Sequence, residues 1–279
     1  MAKQRLDCLL VERGLCESRQ QAQRLIQAGA VRVNQVVVDK PATPVGPEAY
    51  LQVQQAPRFV SRGGEKLAKA LTTFNLPVAG RVVLDGGIST GGFTDCLLQS
   101  GAARVYGIDV GYGQVAWRLR QDPRVILRER TNLRHLTAAD LYSPEDPWAD
   151  LGVVDVSFIS LTKVLPAMAT LLVPPRELVL LVKPQFEVGR ERVGKKGVVR
   201  DPQDQAGAIA TVLTAAGSLG WQYHGLTWSP LVGPAGNLEY LLWLSQRSPS
   251  PLAPSLIDLE ELTQSAQRAI ADSLAHPSS

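Results

Sequence analysis

The sequence predicts an α/β protein in which a mostly parallel sheet is covered by helices and preceded by a small α+β module. From about residue 58, short apolar runs rich in β-branched residues alternate with helical patterns. The preceding segment instead shows two short helical patterns followed by short strands. We therefore expect domains at residues 1–57 and 58–247, then a Pro/Ser spacer and an amphipathic helix over 248–279.

Bulk properties limit the class of protein. The chain has 279 residues and a formal net charge of +3, which permits nucleic-acid binding without requiring it. Cys8, Cys16 and Cys96 show no CxxC or Cys/His spacing, which argues against a disulfide framework and a zinc site. No apolar run has the length of a membrane span, and the N-terminus does not resemble a signal peptide. We expect a cytoplasmic protein with no metal and no membrane partner.

The N-terminal module opens with two amphipathic helical patterns. "RLDCLLVERGL" is expected to end at Gly14, and "ESRQQAQRLIQAGAV" to begin after Ser18 as N-cap and to end at Gly29. Asn34 and Gln35 lie between apolar pairs and predict a tight turn between short strands. "QAPRFVSRGG" is expected to link this module to the second domain.

The second domain contains five runs that predict buried parallel strands: "RVVLDGG", "RVYGIDV", "VILRER", "LGVVDVS" and "LVLLVKP". "QYHGLTWSP" and "NLEYLLWLS" predict a final hairpin at the edge of the sheet. We interpret Trp117, Trp148, Trp221 and Trp228 as core residues and not as platforms for base stacking.

A glycine-rich turn joins the first of these strands to a helix in "VVLDGGISTGGFTDCLL". Its GGxxxGG spacing matches neither the dinucleotide fingerprint nor the P-loop. Asp85 at the strand tip would repel a pyrophosphate but suits a cationic ligand such as S-adenosylmethionine. Asp109 follows by about 20 residues, where a carboxylate can accept ribose hydroxyls. The alternative is a structural turn with two solvent-facing aspartates; the ordered pair favours a nucleoside-type cofactor.

Four further charged residues have placements that favour a common site. Asp155 and Lys183 end apolar strands, and strand tips of a parallel sheet converge on one crevice. Lys66 lies at the margin of an apolar helical stripe, and Glu239 interrupts an apolar strand, where a carboxylate needs a partner such as Lys66 or Lys183. The alternatives are a solvated Lys66, an edge-exposed Glu239, and Asp155 as a helix N-cap.

The order Lys, Asp, Lys, Glu, with a glycine loop between the first two, resembles the FtsJ/RrmJ-type RNA 2'-O-ribose methyltransferases. The N-terminal module is similar to S4-type RNA-binding domains. Together with "SRGGEKL", "STGGFTD", "DVSFISL", "KPQFEVG" and "GNLEY", the pair resembles the TlyA family of ribosomal RNA 2'-O-methyltransferases, also labelled haemolysin A, from about residue 3 to 246. One departure is Gly86-Gly87-Ile88, where the family pattern has an apolar residue followed by Gly-Ala.

The resemblance implies a Rossmann-like class I methyltransferase sheet and a catalytic tetrad of Lys66, Asp155, Lys183 and Glu239. Lys183 is predicted to be the general base, Lys66 and Glu239 to orient the hydroxyl, and Asp155 to hold Lys183 beside the methyl donor. Contacts with S-adenosylmethionine are predicted for Asp85, Gly87, Ser89, Gly91, Gly92, Phe93, Asp109, Asn132 and Asp155.

The expected partner is ribosomal RNA or a ribosomal subunit, with cytidine in 16S and/or 23S rRNA as the target that the resemblance implies. The loop "GRERVGKKGVVR" places glycine-spaced cations next to Lys183, where they would suit phosphates. The predicted RNA-binding residues are Arg5, Arg19, Arg24, Arg62, Arg190, Lys195 and Lys196.

Three alternative functions follow from the same features. A non-catalytic ribosome- or RNA-binding protein would bind cofactor without turnover, and the complete tetrad argues against it. A haemolysin would need a membrane-active segment, which the sequence does not show. A pseudouridine synthase can carry a similar N-terminal module but needs no glycine loop of this kind.

Overall fold

The computed structural model describes residues 3–54, 57–247 and 250–275. The chain divides into two compact units, Met1–Arg58 and Phe59–Ser279. The predicted linker and spacer include residues 55–56 and 248–249, and the predicted terminal segment includes 276–279; these positions lie outside the described residues.

The strands are β1 Gln4–Arg5, β2 Val31–Val33, β3 Val36–Val37, β4 Pro44–Val45, β5 Leu51–Val53, β6 Val82–Gly86, β7 Arg104–Ile108, β8 Val125–Arg128, β9 Leu151–Val154, β10 Glu177–Val182, β11 Gln222–Trp228 and β12 Tyr240–Ser245. The α-helices are α1 Leu6–Glu12, α2 Arg19–Gln27, α3 Gly63–Thr73, α4 Gly92–Gln99, α5 Trp117–Arg120, α6 Ala138–Leu141, α7 Leu165–Leu171, α8 Pro184–Glu187, α9 Pro202–Gly217 and α10 Leu256–Ala275. Short 3-10 helices cover Leu133–His135, Leu161–Lys163 and Arg190–Arg192.

The N-terminal unit packs α1 and α2 against two small sheets, β1–β4 and β3–β2–β5. Ser18 caps α2 by accepting a hydrogen bond from the Gln21 backbone N–H, as predicted. Asn34 and Gln35 have φ angles of 49° and 67°, which gives the tight turn between β2 and β3 that the sequence predicts.

A buried carboxylate organises the same unit. Asp7 in α1 is fully buried and accepts hydrogen bonds from Arg5, Arg19 and Gln23 at 2.8–3.0 Å. Arg5 chiefly, and then Gln23 and Arg19, hold the pKa of Asp7 well below its usual range, because their hydrogen bonds stabilise the ionised form. Arg5 and Arg19, which the sequence assigns to RNA, therefore also serve as partners of this carboxylate.

The second unit is built on a seven-stranded sheet in the order β11-β12-β10-β9-β6-β7-β8. Five neighbouring strands pair in parallel, namely β10, β9, β6, β7 and β8. Strand β12 runs antiparallel to both β10 and β11. This architecture confirms the predicted α/β fold, including a final hairpin with β11 at the edge.

Alternate strand residues enter two apolar layers, one on each face of the sheet. Leu84 and Leu180 join the layer that includes residues of α6, α7 and α9, whereas Val83 and Leu181 join the layer that includes residues of α3 and α4. Both faces are covered, which explains why consecutive apolar residues make up most of each parallel strand and charged residues lie near the strand ends. The terminal helix α10 packs on α9 and so forms a further layer outside the one that covers the sheet.

The tryptophan prediction is wrong for two of the four residues. Trp221 is buried, but Trp117 is 72% exposed and Trp148 is 39% exposed. Trp117 opens the short helix α5, in which Leu119 is the residue that turns inward, so the indole is left on the outer face. Trp148 stacks on Tyr142 at the margin of its layer, with ring centroids 4.6 Å apart.

Replacing Asp7 with Asn should destabilise the N-terminal unit by about 2 kcal/mol, because the buried network loses its negative charge and one of its two acceptor oxygens. The folded pKa of Asp7 lies below its unfolded value, so this stabilisation is present above about pH 4 and is lost as the pH falls through the folded pKa. Hydrogen exchange of the α1 and α2 amides in the full chain measures both effects. Equal exchange in the Asp7→Asn and wild-type proteins at pH 7 would contradict this assignment.

Candidate active site

The candidate site lies at the carboxyl edge of the large sheet, where strand order reverses. From β6 the chain proceeds outward to β7 and β8, whereas β9 and β10 lie on the other side of β6. Such a switch point leaves a crevice above the carboxyl ends of the two central strands. Because β12 is antiparallel and Tyr240 pairs with Val182, the residues just before β12 lie at the same edge.

Two buried ion pairs occupy this edge. Lys66 Nζ lies 2.5 Å from Glu239 Oε2, and Lys183 Nζ lies 2.6 Å from Asp155 Oδ1. Lys183 Nζ also donates a hydrogen bond to Ser157 Oγ at 2.9 Å. Glu239 is 2% exposed and Lys183 is 9% exposed, so these charges are largely withdrawn from water and depend on one another.

The structural alternatives for these residues are wrong. Ser160, and not Asp155, caps the 3-10 helix that follows β9. Glu239 is buried and paired, so it is not an exposed edge charge, and the side chain of Lys66 is only 12% exposed. The structure thus brings the four predicted residues together as two pairs, with Lys66 as the partner of Glu239; their catalytic roles stay predictions.

Two adjoining cavities open beside these pairs and share Gly87, Ser89 and Asp155 as walls. The smaller, of about 200 Å³, reaches Lys66. The larger, of about 360 Å³, reaches Asp109 and is walled by apolar and polar side chains in similar numbers. The remaining predicted residues that line one or the other are Arg62, Gly92, Phe93 and Asn132.

Two predicted cofactor contacts, Asp85 and Gly91, do not line either cavity, and neither do Lys183 and Glu239 of the predicted tetrad. Gly91 is the left-handed residue before α4, and a Cβ there would lie 2.2 Å from Leu119. Gly91 is therefore required by packing behind the loop.

Gly87 allows two chain segments to cross. It has a φ angle of 89°, and a Cβ at this position would lie 2.4 Å from the carbonyl oxygen of Asp155. The loop after β6 therefore rests directly on the loop after β9, which fixes the Asp155 backbone at the junction of the two cavities. The neighbouring Ile88 is buried and packs over Gly107, so much of its side chain serves the core.

Asp85 is fully buried at the tip of β6. Thr94 Oγ1 donates a hydrogen bond to its Oδ2 at 2.6 Å, and its Oδ1 has no hydrogen-bond partner among the residues that the structure describes. Burial, aided by repulsion from Asp155 and Asp109, raises the pKa of Asp85 to about 7. An orphaned carboxylate oxygen beside the glycine loop fits a ligand that carries a positive charge.

Asp109 follows β7 and accepts two backbone hydrogen bonds, from Ser89 N at 2.8 Å and from Gly111 N at 2.7 Å. One bond reaches each carboxylate oxygen, so both oxygens retain the capacity to accept a ligand hydroxyl. Asn132, across the same cavity, caps the next 3-10 helix by accepting from Arg134 N. With walls that include Ile108, this larger cavity has the size and polarity that fit a nucleoside.

Sequence reasoning missed several residues that hold the site together. Ser157 binds Lys183, and Thr94 binds Asp85. Glu187 in α8 accepts hydrogen bonds from Leu161 N at 2.8 Å and Ser160 Oγ at 2.6 Å, and so ties the loop after β9 to α8. Burial raises the pKa of Glu187. These residues lie inside "STGGFTD", "DVSFISL" and "KPQFEVG". Their closeness in sequence to the predicted charged residues of these motifs was the one signal that could have identified them.

Phe158 was also missed. It is 92% exposed, has a φ angle of 64°, lines the larger cavity and lies 5.2 Å from Phe186, centroid to centroid. A left-handed backbone is costly for an aromatic residue, and such strain concentrates at functional sites. No feature of the one-letter sequence reveals this backbone conformation or this exposure.

The cationic loop after Lys183, residues 190–200, is named the basic segment here. Together with Asp201 and Asp204 it forms a separate cleft of about 460 Å³. Arg192 pairs with Asp204 at 3.0 Å, whereas Lys195 and Lys196 are exposed along the cleft. In the N-terminal unit, Arg24 is exposed in the last turn of α2.

Two features are absent from the part of the chain that the structure describes. In it, no three or more His, Cys, Asp or Glu side chains are grouped in a way that could hold a metal ion. None of its helices combines the length and the apolar character needed to cross a membrane.

Comparisons with known proteins agree with this geometry. The family model described as FtsJ-like methyltransferase matches residues 59–246, and the S4 domain model matches residues 4–49. The chain is 50% identical over 251 residues to the 16S/23S rRNA (cytidine-2'-O)-methyltransferase TlyA of Mycobacterium tuberculosis, covering 89% of this chain and 92% of that protein. It is 40% identical over 237 residues to Hemolysin A of Brachyspira hyodysenteriae, covering 85% and 98%.

Among solved structures, one from Streptococcus thermophilus, provisionally described as a hemolysin, superposes with a TM-score of 0.74. It is 40% identical in sequence, and the match covers 99% of both chains. The expected family and fold are thereby confirmed.

Replacing Asp85 with Asn should stabilise the ligand-free protein at pH 8 by about 2 kcal/mol, because the buried charge is removed. The folded pKa of about 7 lies above the unfolded value, so between about pH 4 and pH 7 the unfolded state binds fewer protons. Wild-type stability should therefore fall as the pH rises through this window, and the stability of the variant should not.

Calorimetry with and without S-adenosylmethionine, the ligand that the sequence predicts, measures the stability of the ligand-free protein and the stabilisation that the ligand adds. The ligand should raise the melting temperature of the wild type and have little effect on that of the variant. A variant that is less stable at pH 8, or that binds the ligand as tightly as the wild type, would contradict the role assigned to Asp85.

Proposed function

This chain belongs to the FtsJ-like methyltransferase family and carries an S4 domain at its N-terminus, and we propose that it transfers a methyl group from S-adenosylmethionine to a ribose 2'-hydroxyl of ribosomal RNA. The observation that carries the proposal is the arrangement of Lys66–Glu239 and Lys183–Asp155, with Lys66 and Asp155 on the walls of one cavity. The name of the Mycobacterium tuberculosis relative supports a cytidine of 16S and/or 23S rRNA as the target.

The reaction makes a limited demand on the protein. A ribose hydroxyl is a weak nucleophile at neutral pH, and S-adenosylmethionine, when bound, supplies an electrophilic methyl group on a sulfonium. The chain must align the hydroxyl and take up one proton, which are contributions of orientation and of general base catalysis. Paired, buried side chains with fixed geometry suit both tasks.

Lys183 is the proposed general base. Its Nζ is held on one side by Asp155 and on another by Ser157, so the amine has a defined direction. In its neutral form it accepts the hydroxyl proton. Lys66, held by Glu239 at 2.5 Å, orients the hydroxyl and stabilises negative charge that develops on its oxygen.

The cofactor would be held by residues of the glycine loop and the next two strand ends. Asp109 would accept the ribose hydroxyls of the cofactor, and Asp85 would balance its positive charge. Gly87 and Gly92 keep the loop backbone close to neighbouring segments, with Ser89 and Phe93 lining the smaller cavity. Asn132 would contact the base in the larger cavity, and Asp155 borders both cavities.

RNA would bind on the cationic surface around this crevice. Arg62 lines the smaller cavity, and Lys195 and Lys196 are exposed in the basic segment. Phe158, exposed at the larger cavity, would stack on a base of the RNA. The target nucleotide would have to be splayed out of the RNA so that its 2'-hydroxyl, which accepts the methyl group, can enter the crevice. In the N-terminal unit Arg24 would contact phosphate, with Arg5 and Arg19 assisting while bound to Asp7.

Ribosomal subunits in the cytoplasm are the proposed partners, and no metal is required by this chemistry. The S4 domain match supports RNA as the class of partner. The competing function is RNA binding without catalysis, and an assay of methyl transfer distinguishes the two functions.

Replacing Lys183 with Ala should lower methyl transfer by at least about 10³-fold and leave cofactor affinity unchanged, because only the proton acceptor is removed. Tritiated methyl transfer to purified 30S and 50S subunits, with the alkali resistance of the labelled nucleotide, measures the reaction and identifies a 2'-O-methyl product. Lys163→Ala, an exposed lysine on the 3-10 helix Leu161–Lys163, is the matched control and should retain wild-type turnover.

A Lys183→Ala protein with a wild-type rate would remove Lys183 as the base. Wild-type protein that binds cofactor but labels neither subunit would favour the non-catalytic function.

Replacing both Lys195 and Lys196 with Ala should weaken RNA binding and flatten its salt dependence. Each lysine that contacts a phosphate contributes about one to the slope of log affinity against log salt, so the slope should fall by about two. Fluorescence titration of a labelled rRNA fragment at several salt concentrations measures the slope. An unchanged slope would place the RNA elsewhere on the protein.

A further inference from the structure

Asn237 has a buried amide whose nitrogen and oxygen each form a hydrogen bond with the basic segment. Asn237 is only 1% exposed. Its Nδ2 donates a hydrogen bond to the carbonyl of Gly197 at 2.8 Å, and its Oδ1 accepts one from the N–H of Val199 at 2.9 Å. An amide that satisfies one acceptor and one donor of the same short loop fixes the backbone of that loop. Neither the tetrad nor the cofactor contacts described above account for this residue.

The basic segment has a second set of anchors behind it. Gln205, also buried, donates from Nε2 to the carbonyl of Val199 at 2.8 Å, and its Oε1 accepts from the Tyr240 hydroxyl at 2.6 Å. From α10, Gln267 donates to the carbonyl of Arg200 at 2.7 Å. The exposed lysines thus project from a backbone that buried polar groups hold in place.

The backbone of Asn237 organises a different element, the roof loop, residues 229–236 between β11 and β12. The Asn237 carbonyl accepts from the N–H of Gly233 at 2.8 Å, which closes this loop. Its Leu231, Val232 and Pro234 line the smaller cavity with Lys66 and Asp155.

Glu239 packs against the roof loop. A Cβ on Gly233 would lie 2.7 Å from Glu239 Oε1, so the loop backbone rests on the carboxylate that holds Lys66. Asn237 precedes this carboxylate by two residues and connects it with the basic segment through its side chain.

We propose that Asn237 is a positioning residue that holds the basic segment and the roof loop in one arrangement, so that phosphates bound by the basic segment place the ribose beneath the roof beside the Lys66–Glu239 pair. Holding a glycine-containing cationic loop before RNA arrives removes an ordering cost from binding. Holding the roof keeps Glu239 in contact with Lys66. This inference rests on the proposed RNA methyl transfer.

The experiment combines hydrogen exchange with kinetics on the full-length protein. In Asn237→Ala, exchange should rise in residues 194–200, which lose their bonds to the side-chain amide. It should also rise in 229–236, because that amide no longer fixes the position of the backbone carbonyl of residue 237, which closes the roof loop. The KM for the ribosomal subunit should rise by about tenfold and kcat should fall by about tenfold, with S-adenosylmethionine affinity unchanged. Gln267→Ala loosens the basic segment alone, so it should raise KM and leave kcat unchanged.

A double-mutant cycle separates positioning from general stability. Removing Lys195 and Lys196 should raise KM by about tenfold in the wild-type background and by less than about twofold in Asn237→Ala, because disordered lysines contribute little. Tyr142→Phe is the control: it loses buried hydrogen bonds to Leu171 and Ala149 elsewhere in the same unit. It should lower the melting temperature without changing exchange in either segment, the KM or kcat.

Additive effects in the cycle, a single segment affected in Asn237→Ala, or a Tyr142→Phe protein that reproduces its kinetic pattern would overturn the inference. If wild-type protein methylates neither subunit, the proposed function fails, and the two-segment exchange pattern still decides whether Asn237 joins the basic segment to the roof loop.

Discussion

Burial of the Lys183 ammonium at the end of a strand that is apolar from Leu178 to Val182 is the constraint on which the active site depends. Moving such a charge out of water costs several kcal/mol unless partners compensate it. Asp155 and Ser157, both on the loop after the adjacent parallel strand, supply those partners. The neighbour on the other side, β12, is antiparallel, so Glu239, which immediately precedes it, lies at the same edge and holds a second ammonium, that of Lys66. Two pairs thereby meet at one crevice.

Close backbone crossings keep those pairs in register. Gly87 brings the loop after β6 against the carbonyl of Asp155, and Gly233 brings the roof loop against Glu239. A side chain at either position would displace the carboxylate of an ion pair or its backbone, because packed loops have little room to relax. Asp85 is the opposite case, since its burial is poorly compensated and its pKa is raised to about 7. Such a group destabilises the ligand-free fold, and a bound cation would give it a partner.

Some of the basic residues are paired with carboxylates of the protein, and others are exposed to solvent. Arg5 and Arg19 are bound to the buried Asp7, and Arg192 to Asp204, so part of the positive charge serves the fold. Lys195 and Lys196 are exposed, on a backbone that Asn237, Gln205 and Gln267 hold. The count of basic residues therefore overstates the positive charge that is available to RNA. The two exposed lysines remain available, and they project from a backbone that hydrogen bonds hold in place.

The sequence by itself determined the fold class, the turn at Asn34 and Gln35, and which charged residues lie at the carboxyl edge of the sheet. Strand periodicity reports burial directly, and a charge at the end of an apolar strand can lie only near the edge of the sheet. Tertiary structure alone decided that Lys66 pairs with Glu239, that Trp117 lies outside and that Phe158 adopts a left-handed backbone. It also decided the anchoring role of Asn237. These features depend on contacts between segments distant in the chain, and residue type and local spacing carry no information about which distant groups will meet.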